Sequence, residues 1–137
     1  MCDIEASDIY MENVICPVSI NMFYHCGSNE PGLYSLEKQP VTEDTPRIED
    51  VRIERVRAKG CRSMAAFLAG LPEAPLKNIV VRDCSFEVSE KVEKGLEAEM
   101  CSGLPETDYR GIRVINADAV FENVEVNVEP KILIEKL

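Results

Sequence analysis

The residues best suited to chemistry are few. His25 is the only histidine, and it follows Tyr24 at the end of an apolar run. An imidazole can act as a general base near neutral pH, but it needs a reacting proton within hydrogen-bond reach. The sequence shows no partner nucleophile. His25 therefore reads either as part of a substrate-binding rim or as a solvent-facing loop residue. The chain has 25 Asp plus Glu, most of them at strand starts and in loops. A chosen pair of these reads as solvated surface or corner hydrogen bonding rather than as an acid–base couple. Arg52, Arg55, Arg57, Lys59 and Arg62 form a basic run. Such a run could bind carboxylated sugar units, or it could balance local acids from outward strand positions. The six cysteines include no Cys-x-x-Cys, and one histidine is too few for the usual zinc sets. No metal or cofactor is expected.

Composition narrows the classes further. The 137 residues suffice for one domain around one core. A hydrophobic fraction of 45% with 29% charged residues fits a globular chain rather than a disordered one. No apolar run approaches the ~20 residues of a membrane helix, so no membrane partner is expected. The opening Met1-Cys2-Asp3-Ile4-Glu5 lacks the basic and apolar regions of a secretory signal. This points to the cytoplasm, unless a preceding part of the protein changes it, and to reduced, mostly buried thiols. The net charge of −10 argues against nucleic acid as a partner and against general attraction to a polyanion.

The elements that must position these residues follow from a recurring pattern. Asp or Asn, apolar, any, apolar, two mostly polar residues, then Val or Cys occurs at Asp8–Val14, Asp50–Val56 and Asn78–Cys84. A weaker copy is Asp118–Val124. Alternating apolar positions that return after long, corner-rich segments predict a solenoid of stacked strands. No Asn-Gly or Asp-Gly hairpin signal favours a sandwich instead. The expected fold is all-β, a parallel β-helix of about three to four coils in one domain, 1–137. Stacking would align Val14, Val56, Cys84 and Val124 in one inward column. Asn13, Asp83 and Asn123 would line a polar corner, with Arg55 as the exception. Residues 27–46 read as a long excursion loop, 85–110 as a charged loop or short helix, and 125–137 as a final strand or cap.

The same residues carry a resemblance. Asp8–Val14, Val18–Tyr24, Thr45-Pro46 with Asp50–Val56, and above all Ala69–Ile79 resemble the C-terminal coils of glycoside hydrolase family 28, the polygalacturonases. Glu99-Met100-Cys101, Tyr109–Ile112 and Phe121–Val124 continue the likeness over nearly the whole chain. The resemblance implies a right-handed β-helix and hydrolysis of galacturonosidic linkages in pectin, with one carboxylic acid protonating the leaving oxygen and carboxylate bases activating water. The family's Asn-Thr-Asp, Asp-Asp, Gly-His-Gly and Arg-Ile-Lys motifs are absent here. In the family they lie N-terminal to the matching coils. The implied protein is thus a C-terminal fragment of a pectin-degrading enzyme, inactive alone; the alternative is a non-catalytic module that binds acidic polysaccharide or serves assembly. Tyr24 matches a substrate-facing tyrosine of the family, whose ring and hydroxyl suit a sugar. A β-helix cut across its stack exposes unpaired edges and apolar core. A homo-oligomer, or an upstream polypeptide docked on that end, is therefore the expected partner.

Overall fold

The computed structural model describes residues 1–23, 35–93, 96 and 103–137. The all-β expectation is met. Among the described residues there are eight strands and no helix: β1 (Ile4–Glu12), β2 (Val18–Asn21), β3 (Glu49–Cys61), β4 (Ala66–Ala69), β5 (Leu76–Val88), β6 (Ile112–Ile115), β7 (Ala117–Val126) and β8 (Ile132–Glu135). Odd strands form one four-stranded sheet in the order β1-β3-β5-β7, and even strands form a second in the order β2-β4-β6-β8. Every pairing is parallel. The chain thus visits the two sheets in turn and returns each time beside its previous visit.

The long strands do not alternate at a simple period of two. On β3 the buried positions are Val51, Ile53, Val56, Ala58 and Cys61. The step is two, then three, because Arg55 takes a positive φ and both it and Glu54 turn outward. Asp3, Asp8 and Asn13 repeat this every five residues along β1, as do Asp50, Arg55 and Gly60 on β3. Asn78 and Asp83 do so on β5, and Asn123 on β7. A left-handed residue in one strand alone would be a bulge that breaks pairing. Here neighbouring strands carry it at matching positions, so pairing survives. Asn and Asp tolerate this conformation best among residues with a Cβ, which is why the sequence repeat begins with them.

Side chains at these positions bond along the stack. Asn78 Nδ2 donates to Asp50 Oδ1 at 2.6 Å, and Asn123 Nδ2 donates to Asp83 Oδ1 at 2.8 Å. Arg55 donates to both carboxylate oxygens of Asp8, from Nε at 2.7 Å and from its second terminal nitrogen at 2.9 Å. This contact holds the Asp8 carboxyl below the ordinary carboxylate range.

The register corrects the first column of the sequence reading. Ile9, not Val14, pairs with Val56, and Cys84 pairs with Val124. Asp8, not Asn13, therefore stands in the corner column with Arg55, Asp83 and Asn123. The reason is the five-residue spacing of the corners. Asp3-Ile4-Glu5-Ala6 carries the opening of the motif as well as Asp8-Ile9-Tyr10-Met11 does, and pairing selects the earlier copy. A second correction concerns 85–110: β5 runs on to Val88, with Phe86 and Val88 buried. Of the possible helix over 87–99, residues 94–95 and 97–99 lie outside the described residues; the rest is not helical.

The core lies between the sheets. Phe67 and Leu68 of β4, Leu76 and Ile79 of β5, and Ile112 and Ile115 of β6 are wholly buried. Gly70 closes the corner after β4. A Cβ there would lie 2.4 Å from the Asn116 carbonyl oxygen and 2.5 Å from the Leu76 nitrogen, so only glycine fits.

The corner geometry is open to a stability test. Asn78→Gly and Asn78→Val both lose the amide bond to Asp50, but only valine is strained at φ 51°. Valine is expected to be the less stable of the two by about 1–2 kcal/mol in urea unfolding.

Candidate functional site

Tyr24 and His25, the substrate-contact residues of the sequence reading, lie outside the described residues. The strand that leads to them is β2. Beyond it the Met22 N–H donates to the Ala69 carbonyl at 2.9 Å, and the Phe23 N–H donates to Asn21 Oδ1 at 3.1 Å. Phe23 is fully buried. This turn is therefore anchored in the core immediately before Tyr24.

The basic run does not converge on one anion site. Arg52, Arg55, Arg57 and Lys59 are exposed on the outer face of β3. Arg52 stands opposite Glu5, Arg55 is paired to Asp8, and Lys59 stands opposite Glu12 on one side and Glu87 on the other. Arg62 leaves the strand and forms a two-pronged pair with Glu93, both bonds 2.9 Å. Arg82, which the sequence did not single out, joins the same scheme between Glu122 at 2.8 Å and Glu54 at 3.4 Å. Apart from Arg57, which stands between Tyr10 and Ser85, these positions face neighbouring acids, the plainer of the two readings of the run.

A cleft of about 620 Å³ with mixed polar and apolar walls lies beside Arg62, between Ser63-Met64 and Thr107–Arg110. Its walls are held by Arg110, which donates to the carbonyls of Ser63 at 2.9 Å, Ser89 at 2.6 Å and Arg62 at 3.0 Å. The Tyr109 hydroxyl donates to the Pro130 carbonyl. Arg62 holds the Glu93 carboxyl below its ordinary range by hydrogen bonding. Glu93 is therefore ionised at neutral pH and unsuited to protonating a leaving group. Arg62, about 39% exposed at its side chain, already spends Nε and a terminal nitrogen on Glu93.

Other reactive groups are occupied or shielded. Burial pushes the Cys61 thiol up to about 11 and raises that of Cys84. Nucleophilic attack needs the thiolate, so neither is a nucleophile near neutral pH. Among the described cysteines Cys2 is exposed and Cys16 half-buried; Cys26 and Cys101 lie outside the described residues. No cluster of three or more metal-ligating side chains occurs among the described residues. Arg113 was not legible as a buried residue, because alternation between Ile112 and Val114 points it outward. It is nonetheless 2% exposed, bonded to Glu135 at 2.8 Å and to the Pro105 carbonyl at 2.8 Å, and it stacks over the Phe67 ring. The segment before β6 covers it, and no local pattern reports such a cover.

A second concavity opens at the β1/β2 end of the stack. It is an apolar recess of about 400 Å³ whose lining includes Ile4, Ile9, Met11, Val18 and Ile20, with the buried Val51, Ile53 and Val56 at its floor. Comparison with protein-family models, curated proteins and solved structures finds no match for the chain.

The thiols give a direct check on this arrangement. Iodoacetamide at pH 8 is expected to label Cys2 in the native protein. Cys61 and Cys84 should stay unlabelled until urea unfolds the sheets. Peptide mapping by mass spectrometry reads each site separately.

Proposed function

We propose that the chain is the C-terminal part of a right-handed parallel β-helix of the polygalacturonase type. In this reading it contributes to hydrolysis of galacturonosidic linkages and is inactive alone. The observation that carries the reading is the order of the strands. Successive strands fall alternately in two parallel sheets, each beside its own predecessor, as coils wound about one axis would place them. The resemblance over Ala69–Ile79 adds the family. Its inverting chemistry needs an acid and a base held across the scissile bond, and the motifs that supply them are absent from this sequence. Tyr24, with His25 beside it, is the proposed sugar contact at the rim. The partners are pectin or oligogalacturonate through the complete enzyme, and either a second copy or an upstream polypeptide at the open end.

The second reading is a non-catalytic module for acidic polysaccharide. It is favoured by the basic side chains that stay at the surface, Arg52, Arg57 and Lys59, and opposed by the net charge of −10.

Reducing-end release from polygalacturonate decides between them. The folded chain alone is expected to release nothing, and release is expected once an upstream polypeptide bearing the missing motifs is supplied. Release by the chain alone, diminished by Tyr24→Phe, would overturn the account of missing catalytic coils. Saturable oligogalacturonate binding with no complementation would favour the second reading.

A further inference from the structure

Among the described residues both ends of the stack are open. β1 pairs only with β3 and β2 only with β4; β7 pairs only with β5 and β8 only with β6. The inward row of β1, Ile4, Ala6, Ile9 and Met11, is only half-buried, and so are Ala119, Phe121 and Val124 of β7. One strand deeper, the same rows fall to at most 5% exposed on β3 and at most 3% on β5. At the β1/β2 end the open cross-section is the apolar recess of about 400 Å³. At the other end Ile134 of β8 stands 68% exposed. An apolar row beside a free backbone edge is a template for strand addition.

The two ends match each other. Followed from strand to strand, the register puts Ala119, Phe121, Val124 and Val126 in the columns of Ile4, Ala6, Ile9 and Met11. On the short sheet Ile132 and Ile134 share the columns of Val18 and Ile20. A second copy laid one strand spacing beyond β7 and β8 therefore sets apolar row on apolar row, with Ile134 against Ile20 at the recess. The left-handed corners coincide as well, since Asn123 and Asp8 occupy one column. That contact repeats the amide–carboxylate pairs Asn78–Asp50 and Asn123–Asp83 within the chain. Facing outward, Val120 meets Glu5, Glu122 meets Ser7 and Glu125 meets Tyr10, so none of these columns opposes two acids. Asp118 comes beside Asp3, in the column where the chain already sets Asp3 beside Asp50.

We infer that the chain stacks on itself head to tail, the β7/β8 end of one copy docking on the β1/β2 end of the next so that both sheets run on. The contact joins two different surfaces, and each step advances along the stack, so every added copy presents a fresh end and growth does not close. The inference deepens the reading above by choosing the second copy as the partner of the open end. It rests on the parallel stacking of that reading and not on its pectin chemistry.

Sedimentation velocity of the full chain over a concentration series tests it without any carbohydrate. The weight-average coefficient is expected to rise with concentration past that of a dimer. Added salt is expected to strengthen association, because it screens repulsion between copies of net charge −10 while the contact itself is apolar. Ile134→Glu, at an exposed site, is expected to sediment as a monomer, and so is Ile20→Glu. An equimolar mixture of the two is expected to form dimers only, since one variant keeps its head and the other its tail. A chain that stays monomeric at every concentration and salt would overturn the inference and leave the upstream polypeptide as the occupant. Association that stops at a dimer, or that Ile134→Glu leaves unchanged, would also overturn it, as would a folded mixture that stays monomeric. If Ile20→Glu loses its β-sheet circular dichroism, Ile4→Glu blocks the same end and is read by the same outcomes. Hydrolysis assays are untouched by any of these results, so failure here and failure of the enzymatic reading are separate.

Discussion

A left-handed residue at every fifth place along the long strands is the constraint on which the rest of this structure depends. It costs strain at each site, and it breaks the period-two alternation that would otherwise keep one face inward. The strain is tolerable because Asp, Asn and Gly fill most of these places. The break in alternation is harmless because adjoining strands break together. What results is a strand that bends toward the core at each corner yet pairs in parallel with its neighbours over up to thirteen residues.

Electrostatics follows from this alignment. Parallel, in-register stacking brings equivalent positions of successive strands side by side, so identical charges would face one another. At most columns the chain avoids this by changing the residue from strand to strand; Asp3 beside Asp50 is the exception. Asp8 meets Arg55, Asp50 meets Asn78, and Asp83 meets Asn123. Glu54, Arg82 and Glu122 alternate in the next column. These pairs are exposed, and each adds little to stability; their weight is in setting register. The basic run that invites a ligand-binding interpretation is, in the folded chain, the positive layer between acidic layers.

Much of the fold was legible because the corner residues and the inward rows are close in sequence. The copies at Asp50 and Asn78 carry both signals, and their pairing fell where the repeat placed it. The first copy was misplaced by five residues because a five-residue spacing makes neighbouring frames look alike over a short strand. Only pairing along the whole of β1 distinguishes them. The strand that continues to Val88 was hidden by its charged outward residues, which resemble a loop when the buried Phe86 and Val88 are not weighed together.

The candidate site was less legible, for a different reason. Sequence order brought Arg52 through Arg62 together on paper, but alternate side chains and a corner send them to different partners. Arg110 and Arg113 came into view only when distant segments closed over them. The sequence by itself determined the strand class and the corner chemistry, because each depends on residues within a few places of one another. Tertiary structure alone decided the register of β1 and the burial of Arg113, since these depend on which strands become neighbours across tens of residues.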